Sequence, residues 1–184
     1  MSQVLSRNAR LQNILINTTG KKISRFILLY LIGLGLLAVA SKIYIPIQPV
    51  PLTLQALAVL FIGMVYGARL GTVTVASFVV MGLMGLPILA GSLTTGASIG
   101  YLIGYIPGAF LAGILIEYGF GKSILTTFLA AFLGTALIFI CGISWLSTMM
   151  GIHTAIAVGL TPFILTEPVK IIALALIVPK FWKV

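Results

Sequence analysis

Apolar runs long enough to cross a bilayer recur along the whole 184-residue chain, and nothing else constrains its fold as tightly. They fall at about 26–45, 52–66, 72–90, 100–118, 124–147 and 162–179. Only 7% of the residues are charged, where a soluble domain carries roughly a quarter. Within hydrocarbon every backbone N–H and C=O needs a protein partner, and an α-helix supplies one inside a single segment. The fold class is therefore all-α: a polytopic membrane protein with six transmembrane helices. Residues 1–25 form a basic cytoplasmic segment, and 26–184 form one six-helix membrane domain. The second run is short for a crossing, so it extends past its apolar residues or sits where the bilayer is thin. The third is interrupted by Gly82, Gly85 and Pro87, which predicts irregular backbone at its far end.

A net charge of +9 would suggest nucleic acid in a soluble protein. Here the basic residues cluster at the ends of apolar runs, which sets orientation in a bilayer instead. With the N-terminus inside, the cytoplasmic face holds Arg7, Arg10, Lys21, Lys22 and Arg25, then Arg69, Lys122, Lys180 and Lys183. The outer face holds Lys42 alone, and Lys170 lies within a span. Both termini are thus expected in the cytoplasm, in a multi-pass protein of the cell membrane, with the lipid bilayer as its solvent. The run after the basic tail is too long for the core of a cleavable leader.

Several signals are set aside on physical grounds. Cys141 is solitary, so neither a disulfide framework nor a thiolate metal site is expected, and it reads as a small core residue. His153, the one histidine, follows a predicted helix end and reads as a loop or interfacial residue. Gly121-Lys122-Ser123 resembles the tail of a phosphate-binding loop, but position 116 is Ile116 where that loop needs glycine. It reads as a cytoplasmic turn, and the chain has no recognisable means of hydrolysing ATP. Gly100, Gly104, Gly108 and Ala112 stack four apart on one helical face, which predicts close packing within the chain. Pro107 is expected to kink that helix.

Only two residues are acidic, and one of them lies in an apolar span, in Thr166-Glu167-Pro168-Val169-Lys170. Thr161-Pro162 reads as the start of that helix, which places Glu167 about 8 Å and Lys170 about 12 Å from its outer end. Their i, i+3 spacing puts them on one face. Pro168 leaves the carbonyl of Ile164 without its helical donor. Two apolar residues would cost less here than an ion pair, so an intramembrane pair is a functional candidate. Two further stretches face the same side. In 44–55, Pro46, Pro49 and Pro51 forbid a helix and predict an extended loop bearing Tyr44, Gln48, Thr53 and Gln55. The stretch 91–101 is rich in glycine and hydroxyls. Together they form a cup suited to a small, mainly apolar ligand with a few polar groups. No catalytic residue, metal site or cofactor is expected. An intramembrane enzyme would need a nucleophile–base pair or a metal set, which one histidine and two acids hardly supply. A helical scaffold would leave the Glu167–Lys170 pair without a purpose.

Taken together, PIQPVPLTLQALAVLFIGMVYGARLG, MGLMGLPIL, GYLIGYIPGAFLAGIL and TPFILTEPVK resemble the BioY family, the biotin-binding membrane subunits (S components) of energy-coupling-factor (ECF) vitamin transporters. The resemblance covers most of 26–180. It implies a six-helix fold that binds biotin near the outer surface. It also implies partners: an ECF transmembrane coupling protein and ABC-type ATPases that drive uptake, unless the subunit works alone. A related S component for another small vitamin is the alternative. In the family a D-x-x-K pair on the last helix contributes to the site, and here it reads Glu167-x-x-Lys170. Thr53 and Gln55 match the P-x-T-x-Q element, while Ser98, Gly100 and Tyr101 match P-T-G-G-Y in part, after a shorter loop. Relatives tend to carry alanines four apart on the first helix, where the partner docks; this chain has Gly33, Gly35, Ala38 and Ala40 there. Biotin offers two ureido N–H donors, one ureido carbonyl, apolar fused rings and a carboxylate tail. The resemblance implies that Glu167 accepts from a ureido N–H. Lys170 either donates to the ureido carbonyl or attracts the tail, and Tyr44 and Tyr101 cover the rings.

Overall fold

The computed structural model describes residues 19–89 and 96–182, with side chains from Ser24 onward. Arg7, Arg10, the stretch 91–95 and Lys183 lie outside the described residues. The chain forms α1 (Thr19–Lys42), a small hairpin of β1 (Tyr44–Ile45) and β2 (Leu52–Thr53), α2 (Gln55–Leu83), α3 (Ile99–Glu117), a 3-10 turn at Phe120–Lys122, α4 (Ile124–Met150), α5 (Ile152–Gly159), a second 3-10 turn at Thr161–Phe163, α6 (Thr166–Ile177) and α7 (Pro179–Trp182). Among the described residues four segments are long and apolar enough to cross a membrane: Ser24–Lys42, α2, α3 and α4. A fifth is the pair Ile152–Phe163 and Thr166–Trp182, bent by 48° at its break.

α2 accounts for both the second and the third apolar run. Gly67, at φ +83° and ψ 172°, breaks it, and the chain doubles back there. A Cβ on Gly71 would lie 2.8 Å from the Cα of Gly63, whereas eight residues of straight helix separate such atoms by about 12 Å. α2 is therefore two antiparallel arms, 55–66 and 68–83. A single glycine suffices because it alone adopts this backbone at no steric cost. The second arm begins at once, with its exposed N–H groups partly satisfied from a distance: the Ala68 N–H donates to Glu117 Oε1 at 2.8 Å. A carboxylate at a helix N-terminus also faces the positive end of the helix dipole. The other acid of the chain thus closes the turn between the two arms.

Contacts between helix ends sort them into two sets. On one side Lys42 Nζ donates to the carbonyl of Leu89 (2.9 Å), Ser41 Oγ to that of Ile88 (2.5 Å) and Trp145 Nε1 to that of Gly96 (2.8 Å). On the other, Glu117 meets Ala68 and Trp182 Nε1 donates to the carbonyl of Met64 (3.1 Å). The third run loses its helix after Leu83, with Gly85 at φ +92°, as its glycines and Pro87 predict. The glycine column on α3 packs within the chain. A Cβ on Gly104 would lie 2.9 Å from that of Cys141, and one on Gly108 2.6 Å from Ile138, both on α4. Cys141 is the half-buried packing residue its surroundings suggest. α3 continues as one helix through Pro107. Ser123 caps α4 by accepting from the Thr126 N–H at 3.2 Å. α1 sits at the rim, with Leu28, Leu31, Ile32 and Val39 all more than half exposed.

Candidate functional site

The proline-rich stretch turns back on itself rather than running straight. Tyr44 pairs with Thr53 and Ile45 with Leu52, antiparallel. Pro46, Pro49 and Pro51 exclude helix between the paired residues. The hairpin buries Thr53 and aims its carbonyl inward, where Lys170 Nζ donates to it at 2.8 Å. The same ammonium bonds Glu167 Oε1 at 2.6 Å. Glu167 and Lys170 are 7% and 9% exposed, so the pair is almost wholly buried.

The last helix differs from its sequence reading. Thr161-Pro162 opens only a 3-10 turn, and α6 begins afresh at Thr166. Pro168 has no N–H for the carbonyl of Ile164, so a regular helix cannot run through both. Restarting at Thr166 puts Pro168 in a first turn, where no donor is required. It also puts Glu167 in that first turn, where the helix dipole favours a negative charge. The break thus brings the carboxylate to a helix N-terminus deep in the protein.

Around the pair is a small cavity of about 20 Å³. Thr53, Tyr101, Tyr105, Phe139 and Phe163 wall it together with Glu167 and Lys170. Tyr101 is the keystone of this wall. Its hydroxyl donates to the carbonyl of Gly159 at 2.9 Å, joining α3 to α5. Its ring meets Phe139 edge-on (centroids 5.7 Å) and stacks on Phe163 (6.3 Å). Phe139 and Phe163 are themselves edge-on at 5.2 Å. The result is one cation, one anion and a backbone carbonyl held in an aromatic box. Such a box can cover an apolar ring system while its polar groups find donors and acceptors.

Of the residues picked out in the sequence, Thr53, Tyr101, Glu167 and Lys170 converge here. Tyr44 occupies the hairpin rung opposite Thr53 but is 42% exposed and does not wall the cavity. Gln55 and Ser98 are fully buried, and the Gln55 carboxamide and Ser98 hydroxyl lack hydrogen-bond partners. Neither lines the cavity. Sequence reasoning missed Tyr105, Phe139 and Phe163. Tyr105 was within reach, four residues after Tyr101 and beside the glycine column. Among the described residues no group of three or more His, Cys, Asp or Glu side chains could hold a metal ion. His153 stands exposed in the first turn of α5, away from the cavity wall.

The family model described as the BioY family matches residues 10–184. The chain belongs to the BioY family. Among curated BioY proteins it is similar to the biotin transporter BioY of Thermotoga maritima, at 37% identity over 150 residues, covering 78% of this chain and 87% of that one. It is also similar to the probable biotin transporter BioY of Pyrococcus horikoshii, at 33% identity, covering 74% of this chain and 83% of the relative. Its fold is similar to a crystal structure of the S-component for biotin from an ECF-type ABC transporter. The TM-score is 0.79 at 26% identity, over 91% of this chain and 95% of the other. The BioY match spans every residue of the cavity wall.

Proposed function

We propose that this BioY protein is the membrane subunit that captures biotin for uptake, and that it holds biotin at the Glu167–Lys170 cavity. It is a transport component and not an enzyme. The observation that supports this reading best is the buried Lys170, bonded at once to Glu167 and to the Thr53 carbonyl inside an aromatic wall. The ureido group of biotin carries donors and an acceptor that exchange with these partners: a ureido N–H for Glu167, and the ureido carbonyl or the tail carboxylate for Lys170. Sites for drug-sized ligands measure roughly 300–1,000 Å³. The aromatic wall must therefore part for biotin to enter. Gln55 and Ser98, each with an unpartnered buried polar group, lie next to that wall in the chain and gain partners if the site expands toward them.

Purified protein in detergent is expected to bind biotin at least about a hundredfold more tightly than thiamine or riboflavin, a difference of roughly 2.7 kcal/mol. Calorimetric titration of all three checks this. Equal affinities, or none for biotin, would remove the assignment.

The proposed topology has six crossings, with α1, the two arms of α2, α3, α4 and the α5–α6 pair each spanning once. The 55–66 arm is only about 18 Å long, against a hydrocarbon core of about 30 Å. The buried segment Val50–Thr53 extends it toward the outer face. Both termini are then cytoplasmic, in the cell's inner membrane. In a variant lacking Cys141, a cysteine at Lys122 should react with a membrane-impermeant maleimide only from the cytoplasmic side, and one at His153 only from outside. The reverse pattern would invert the topology. Uptake is driven by ECF coupling and ATPase partners or proceeds on this subunit alone; co-purification with such partners from the native membrane distinguishes the two.

A further inference from the structure

A second and larger cavity lies outside the aromatic box. It is a cleft of about 670 Å³ between α4 and the bent α5–α6 arm. Along α4 its lining runs from Phe128 to Ser144, about 24 Å of helix. The hydrocarbon core is about 30 Å thick, so the cleft's length is comparable with most of that thickness. Its rim residues Phe132, Ile140, Ile156 and Ile164 are 43–61% exposed, so it opens sideways to the bilayer. No lysine or arginine lines it. Its one charged residue, Glu167, is already paired with Lys170, so it offers no free cation for a phosphate, and its length suits a chain better than a compact bicyclic ring.

We propose that this cleft is a binding site for one acyl chain of a membrane phospholipid, chosen for its chain and not its headgroup. The chain would lie along α4 and bury apolar surface that lines the cleft. Its inner contacts would be Phe139 and Phe163, which line the cleft and also wall the Glu167–Lys170 cavity. The two rings stand edge-on between the two spaces. A resident chain thus buttresses the aromatic wall from the lipid side. This inference does not rest on biotin being the ligand of the inner cavity.

Ala136 lines the cleft, is partly buried and takes no part in the inner wall. Ala136→Trp would fill the cleft with an indole. The full chain, reconstituted into vesicles of mixed phosphatidylglycerol and phosphatidylethanolamine, is re-extracted in mild detergent and washed in steps before native mass spectrometry. The parent should keep one phospholipid per chain after the bulk lipid is gone, with either headgroup. Ala136→Trp should reduce that retention at least about tenfold while biotin affinity stays within about threefold of the parent. Ile140→Trp, on the exposed rim, gives a second test if the first variant folds poorly. Equal retention in parent and variants would overturn the proposal. So would the absence of a retained lipid in the parent, retention that depends on one headgroup, or a second copy of the chain cross-linking into the cleft. Loss of biotin binding with retained lipid would assign the cleft to the vitamin instead.

Discussion

Replacing Lys170 by alanine is expected to weaken biotin binding by roughly ten- to a hundredfold and to lower the melting temperature as well. The first effect is the loss of a charged hydrogen bond to the ligand, worth about 1.5–3 kcal/mol. The second follows from what Lys170 holds together. Its ammonium bonds both Glu167 Oε1 and the Thr53 carbonyl. Removing it strands a carboxylate that is 7% exposed, and breaking a buried pair from one side costs about 3–5 kcal/mol. Glu167→Gln keeps an acceptor oxygen and the shape, so it should lose less affinity than Glu167→Ala. Glu167→Asp restores the family's residue and should keep measurable binding. Biotin titrations and melting curves on the four variants separate the two effects. If Lys170→Ala and Glu167→Ala bind biotin like the parent and only melt earlier, the pair is structural.

Gly142→Ala should be nearly as damaging although it adds one methyl group. A Cβ at Gly142 would run into the ring of Tyr101. That ring has nowhere to go: its hydroxyl is tied to Gly159, and Phe139 and Phe163 hold its sides. Overpacking of a filled core costs about 1–3 kcal/mol. Here the strain falls on the residue that seals the cavity, so affinity should drop about tenfold or more, a change of 1.4 kcal/mol per decade. Tyr101→Phe is the milder comparison. It keeps the ring and loses a buried hydrogen bond worth about 1 kcal/mol, so it should melt only slightly earlier than the parent. If Gly142→Ala folds and binds biotin like the parent, the aromatic box is not the ligand's wall.

The sequence carried the polar part of the candidate site and much of the membrane pattern. An acid, a proline and a lysine in an apolar span stand out because hydrocarbon makes each of them costly, and the structure does bury Glu167 and Lys170 as a pair. The glycine column was legible for a similar reason, since stacked glycines imply a close neighbour. The aromatic wall was not. In a soluble protein the apolar face of a helix points inward, but a membrane helix is apolar on every side. Nothing in the sequence therefore tells Phe139, which is inside, from Phe132, which faces lipid. The one-residue reversal at Gly67 was also hidden. The apolar runs 52–66 and 72–90 left 67–71 between them, and the carboxylate that lets the second arm start at Ala68 comes from Glu117, 49 positions away. The hairpin around the prolines and the late start of α6 depend likewise on pairings that no local pattern announces.

The most direct test of the central claim is a structure of the protein with biotin bound. The ureido ring should lie inside the aromatic box, with a ureido nitrogen about 2.7–2.9 Å from a Glu167 oxygen. Lys170 should be turned from the Thr53 carbonyl toward the ligand, and the Phe139–Phe163 pair should be moved apart. Biotin seated in the cleft between α4 and α6, or on the outer face of the hairpin, with Lys170 still bonded to Thr53 and Glu167, would contradict it.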